Sequence, residues 1–138
     1  NRKTPTGTES GLTSANSGVF LMRHRKKTAK LNKPADQRKA MLRAVVRSLI
    51  LEESVKTTLA RARAAASLAD RLVTWAKRGD VHSRRLALQA LPEPAVVGKL
   101  FAEVAPRFKS TEGGYARVIR AGLRRGDSAE MAILRWSE

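Results

Sequence analysis

Residues 115–136 read YARVIRAGLRRGDSAEMAILRW, and this stretch separates an all-helical chain from one that carries a sheet. Two runs within it, Tyr115 to Ala121 (YARVIRA) and Ala129 to Trp136 (AEMAILRW), alternate apolar and polar residues. A period of two puts every second side chain on one face and marks a half-buried strand. Gly126 and Asp127 in the linking LRRGDSAE supply a turn signal, in a loop longer than the tightest hairpin kinds. The two runs are therefore predicted to form a hairpin, and a hairpin needs an apolar partner.

Upstream of the loop RFKSTEGG the apolar residues recur mainly at helical spacing. Pro94 opens a predicted helix with Val96, Val97, Leu100, Phe101 and Val104 facing inward, and Pro106 ends it. Asp80 is placed to cap a helix reaching Leu91. Before it, Ala62, Ala65, Ala66, Ala69, Leu72, Val73 and Ala76 share one face of a helix that starts at Leu59. Small residues there let another element approach closely, and Gly79 stops that helix after Lys77 and Arg78. Ser54 to Thr58 (SVKTT) is short and β-branched and reads as a third strand. In the segment before it, Leu42, Val45, Val46, Leu49 and Ile50 form a helical stripe. Pro34 suits the first position of that helix, Asp36 favours the positive end of its dipole, and it should stop near Glu52 or Glu53. The order is helix, strand, three helices, two strands. A three-stranded sheet covered by helices satisfies both apolar sets, which makes the class α+β. The core must be mostly Ala, Leu and Val, because only 4% of the chain is aromatic.

Charge carries the second message. The 138 residues hold 28 bases against 12 acids, a formal net charge of +16. Ten of those bases fall between Met22 and Arg47. Residues 22–33 lack regular apolar spacing and read as a basic extended arm. Residues 1–21 are rich in Ser, Thr and Gly and read as a disordered extension. The folded α+β domain is expected over residues 34–138. Beginning at Asn rather than Met suggests a cut or unseen precursor, and Ser/Thr enrichment with few acids resembles either the neighbourhood of an organelle transit peptide or an ordinary low-complexity tail. So large an imbalance destabilises a lone compact chain and calls for a neutralising polyanion.

Several function classes recede. Without cysteine there are no disulfides or thiolate metal sites. No apolar run is long enough to span a bilayer, and the large apolar residues that would anchor a basic helix on a membrane surface are sparse, so no membrane insertion is expected. His24 and His82 lack the carboxylate partners of a general base or a zinc site, so no metal, cofactor, small-molecule substrate or catalysis is expected. Gly113-Gly114 precedes a strand rather than a helix, so it is not a phosphate loop. Arg125-Gly126-Asp127 is better explained by the hairpin turn than by adhesion chemistry.

What remains is phosphate binding. Arginines can fork onto phosphate or stack on bases, while lysines act as mobile point charges. A DNA reader would present one helix with base-reading side chains. Here basic residues are spread over arm, helices and hairpin, which suits folded RNA. A DNA-associated architectural or regulatory protein is the alternative. Tyr115 could stack on an unpaired base or pack on a helix.

Five segments carry a family resemblance: MRHRKKTAKLNKPADQRKAMLR, VKTTLARAR, RRLAL, KLFAEVAPRF and GGYARVIRAGLRRGDSAEMA. In this order and spacing, from Met22 to about Trp136, the chain resembles the bacterial-type large-subunit ribosomal protein seventeen family. The resemblance implies helices packed on a small three-stranded mixed sheet. It also implies a structural role in the large ribosomal subunit, binding its rRNA near the nascent-chain tunnel exit, beside large-subunit proteins twenty-two and thirty-two. Family positions map onto Met22 to Arg25, Lys56 to Thr58, Gly113 to Tyr115 and Arg124 to Asp127. Ser128-Ala129-Glu130 replaces the family's usual Asn-Ala-Pro. The extra residues before Met22 point to an organelle, and LNKPADQR looks closer to plastid members. The chloroplast stroma is thus the expected compartment, with the mitochondrion and the bacterial cytoplasm as alternatives. Charge and resemblance together nominate as RNA contacts Arg23, His24, Arg25, Lys26, Lys27, Lys30, Asn32, Lys33, Arg38, Lys39, Arg43 and Arg47. Further along the chain they nominate Lys56, Thr57, Thr58, Arg61, Arg63, Arg84, Arg85, Tyr115, Arg117, Arg120, Arg124 and Arg125.

Overall fold

The computed structural model of the chain describes residues 29–137. The expected extension, and the arm as far as residue 28, lie outside the described residues. The elements run α1 (Ala35–Glu52), β1 (Ser54–Thr58), α2 (Leu59–Arg78), α3 (Val81–Ala90) and α4 (Pro94–Lys99). A π-helical turn (Leu100–Val104), α5 (Ala105–Arg107), β2 (Ala116–Leu123) and β3 (Glu130–Trp136) complete the order.

Helix α1 buries Val46, Leu49 and Ile50 and half-buries Leu42 and Val45, the expected stripe. Pro34 is its N-cap rather than its first helical residue. The helix ends where Glu53 takes a left-handed φ of 64° while its N–H donates to the Leu49 carbonyl at 2.9 Å. That position usually holds glycine. Here the Arg107 guanidinium holds the Glu53 carboxylate at 2.7 Å, and the Lys99 ammonium donates to the Leu51 carbonyl at 2.9 Å. The turn delivers the chain straight into β1.

Helix α2 is the central beam. Leu59, Ala62, Ala65, Ala69, Leu72, Val73 and Ala76 are all buried along it. Its alanines let α1, α3 and the sheet close on it from several sides. Gly79, at φ 72°, ends it, and the Asp80 carboxylate then accepts the Ser83 N–H at 3.0 Å to start α3. Val96, Val97, Leu100 and Val104 are buried along the next helix as expected, and Phe101 is partly so. That helix does not stop at Pro106 but continues to Arg107. Proline has no N–H for the carbonyl four residues back, and its ring crowds that carbonyl. Widening the preceding turn to a π-helix, with the Ala105 N–H reaching the Leu100 carbonyl, accommodates it.

The sheet order is β1-β3-β2. The sheet is wholly antiparallel, not mixed: β1 and β2 each pair antiparallel with β3. They do run in the same direction, but β3 separates them, so no parallel pair forms. Cross-strand partners share a face. Val55, Leu134 and Val118 make one row and Thr57, Ala132 and Arg120 another. Both rows look toward the helices, where Ala132 and Leu134 are fully buried. Phe108, Tyr115 and Trp136 close the end of this core, with the Phe108 ring 5.4 Å from that of Tyr115 and 6.0 Å from that of Trp136. The helices cover only this side. The other carries Ser54, Lys56, Thr58, Met131, Ile133, Arg135, Arg117 and Ile119, and no described helix lies over it.

Candidate nucleic-acid interface

Six of the ten acids among the described residues are tied to partners within the chain. Glu53 pairs with Arg107, Glu93 with Arg47 at 2.6 Å, Glu103 with Lys99 at 3.9 Å, and Asp127 with Arg124. Asp70 accepts the Ala116 N–H at 3.0 Å, pinning the start of β2 to α2, and Asp80 caps α3. Hydrogen bonds from Arg107 hold the Glu53 carboxyl below its usual range, and the Ser83 contact does the same for Asp80. Hydrogen bonds from Arg124, then the Ala129 N–H, hold Asp127 down to about 2, and Asp127 in turn raises Arg124. With the acids so committed, the positive surplus falls on the surface.

At the foot of the arm the chain turns tightly instead of remaining extended. The Lys33 N–H donates to the Lys30 carbonyl at 3.2 Å, across Leu31 (φ 54°) and Asn32 (φ 51°). Two consecutive positive φ values define a type I′ turn. The Arg38 guanidinium clasps it, donating to the carbonyls of Lys30 and Lys33 at 3.4 and 3.3 Å. Lys30, Asn32, Lys33 and Lys39 are exposed around this join. Further along α1, Arg43 donates to the Gln89 carbonyl at 3.1 Å and Arg47 binds Glu93. Both line a groove of about 390 Å³ floored by Ala40, Ala44, Leu91 and Val96.

On α2, Arg61 and Arg63 are exposed and without an ion-pair partner among the described residues, as are Arg71 and Arg78, which sequence reasoning did not nominate. Arg63, Ser67, Arg71, Thr74 and Arg78 follow at intervals of three and four, so they share one solvent stripe. At 1.5 Å per residue it is roughly 22 Å long. The helix period was itself the signal that could have found them. On α3, Arg84 lies 4.9 Å over the Phe101 ring, and Arg85 is exposed.

On the sheet, Arg117 and Arg120 take opposite faces. Arg135, missed in the sequence, is paired across the ladder with Arg117 on the open side. Its alternation with the buried Leu134 and Trp136 was the available clue. Two such charges about 4 Å apart in water repel by only about 1 kcal/mol, so the fold tolerates them. Three nominations change. Tyr115 is 5% exposed; its ring packs on Phe108 and its hydroxyl receives the Lys77 ammonium at 3.3 Å, so it offers no stacking surface. Thr57 shares the helix-facing side of β1, one register position from the outward Lys56 and Thr58. Arg124 is committed to Asp127 through Nε at 3.0 Å and Nη2 at 2.5 Å, and so shapes the turn. Arg125 beside it is exposed, with no ion-pair partner among the described residues. Arg23, His24, Arg25, Lys26 and Lys27 lie outside the described residues.

Among the described residues no three His, Cys, Asp or Glu side chains group as metal ligands. No helix among them is long and apolar enough to cross a membrane.

Comparison with known proteins gives this arrangement its relatives. The family described as "Ribosomal protein L17" matches residues 41–137. The large ribosomal subunit protein bL17 of Thermodesulfovibrio yellowstonii is 53% identical over 115 residues, covering 83% of this chain and 86% of its own length. The bL17 of Symbiobacterium thermophilum is 50% identical over 108 residues, covering 78% of this chain and 96% of its own. That of Dictyoglomus thermophilum is 45% identical over 113 residues, covering 82% and 97%. At this identity and coverage, the chain belongs to the ribosomal protein L17 family.

Proposed function

We propose that the chain is a structural constituent of the large ribosomal subunit, binding and stabilising large-subunit rRNA near the nascent-chain tunnel exit, without catalysis. The observation that carries this reading is the disposition of charge. Six of the ten acids among the described residues are tied within the fold, and many more bases, on the arm's foot, α1, α2 and the sheet, stay exposed. A surface cationic on several sides fits a folded RNA that surrounds the protein better than a single DNA groove. The contacts proposed are Arg23 to Lys27, Lys30, Asn32, Lys33, Arg38, Lys39, Arg43, Arg47, Lys56, Thr58, Arg61, Arg63, Arg84, Arg85, Arg117, Arg120 and Arg125, with large-subunit proteins twenty-two and thirty-two as neighbours. The compartment proposed is the chloroplast stroma, supported by the plastid-like LNKPADQR segment; organelle fractionation of a tagged chain tests it.

Neutralising Arg23, Arg25, Lys26 and Lys27 together should weaken rRNA binding and flatten its salt dependence, by about 0.9 in log–log slope for each duplex phosphate left without its cation. The tagged wild-type chain should co-sediment with the large subunit after a high-salt wash. A free, slowly sedimenting pool that prefers duplex DNA would support the architectural alternative instead.

A further inference from the structure

The geometry points to a phosphate-binding site on the open face of the sheet, built by Arg117 and Arg135 with Lys56 beside them, which seats the sugar–phosphate backbone of the RNA. The inference rests on the rRNA reading above and assigns it a surface.

The register sets the site. Arg117 pairs with Arg135, and Ser54 completes that row across β1; the next row outward is Lys56, Ile133 and Ile119. Neighbouring strands lie about 4.8 Å apart, so the two arginines start side by side on a rigid ladder. Both are exposed, and neither forms an ion pair among the described residues. Directly opposed like charges are unfavourable in a free sheet. An oxyanion between them reverses the sign, because each guanidinium can fork onto a separate phosphate oxygen. No acid belongs to the open-side rows of these three strands. Glu52 and Glu53 border the Arg135 end of the row; Glu53 is held by Arg107 at 2.7 Å, and neither forms an ion pair with Arg135.

The apolar residues fit the same occupant. Ile119 is 38% exposed, large for a strand residue on a three-stranded sheet, and Ile133 lies beside it. Together they make a narrow apolar strip flanked by cations. A ribose or base face can rest on such a strip while its phosphates reach Arg117, Arg135 and Lys56. Charge complementarity therefore favours a nucleic-acid strand over an apolar protein segment.

The chain contains no cysteine, so Ile119→Cys creates a unique attachment point. The full chain carrying a short photocrosslinker there, assembled into large subunits, should crosslink to rRNA. A crosslink to a neighbouring protein alone would overturn the site. In parallel, R117Q/R135Q should lower the salt slope for deproteinised large-subunit rRNA by about 1.8, which corresponds to about 60-fold weaker binding at about 100 mM salt. R117K/R135K should keep most of that slope. The glutamine variant should melt no lower than the wild type, since it removes opposed like charges. An unchanged slope in R117Q/R135Q overturns the site while leaving the rRNA reading intact. A wild-type chain that binds rRNA without salt dependence overturns the rRNA reading itself.

Discussion

Truncating adjacent residues of the central strand should give very different losses. Leu134 is fully buried between Val55 and Val118 on the helix side of β3. Leu134→Ala removes most of that side chain where the ladder on both sides prevents collapse, so a cost of about 3–4 kcal/mol is expected. Ile133, one residue back, faces the open side and is only partly buried. Its truncation should cost about 1 kcal/mol, mostly lost strand preference and partial burial. For a domain of this size each kcal/mol shifts melting by about 4 °C. Thermal unfolding followed by far-ultraviolet circular dichroism should thus show a drop of about 12–16 °C for Leu134→Ala and about 4 °C for Ile133→Ala. Moderate salt should be present to screen the self-repulsion of the +16 chain. Equal losses would mean that both faces of the sheet are sealed in the free protein, with no open cationic face to offer. In assembled subunits the ranking should narrow, because Ile133 then acquires a neighbour.

Two further outcomes follow from the acids. Asp127 is held at about 2, below its ordinary 3.8. A depressed folded-state value gives stability that is fully present above about pH 4 and lost as pH falls toward about 2. A carboxyl NMR titration should therefore place its midpoint near 2, and a midpoint at the ordinary aspartate value would mean that the Arg124–Asp127 clasp does not form in solution. Asp70→Ala should leave the first N–H of β2 unpaired, costing about 1–3 kcal/mol. Asp70→Asn, which keeps an accepting oxygen, should cost less, and amide exchange at Ala116 should report the difference.

Local features were legible in the sequence because local chemistry sets them. Gly79 and Asp80 mark a stop and a start that need only their own backbone geometry. The alternation of AEMAILRW marked β3 as a half-buried strand, and its buried face is Ala132, Leu134 and Trp136. Strand order was not legible, since β1 is far from β3 in the chain and their pairing depends on how α2 to α5 pack between them. Pro106 misled because a π-helical turn can absorb a proline that an α-helix rejects. For Tyr115 the sequence left stacking and packing both open, and the long-range contacts with Phe108 and Lys77 decide for packing. Among the cations, composition announced the surplus, but which remained unpaired depended on long-range ties such as Arg47 with Glu93 and Arg107 with Glu53.

Among the described residues no strand pairs with the outer rim of β2. A naked outer strand is a template on which a second copy can add, and fibrous clumping starts that way. Here the ladder slips between Arg120 and Leu123, where Gly122 adopts φ 82°, and Arg117, Arg120 and Arg125 bristle nearby. The irregular rim and the mutual repulsion discourage self-addition, so newly made copies can stay apart while they await incorporation.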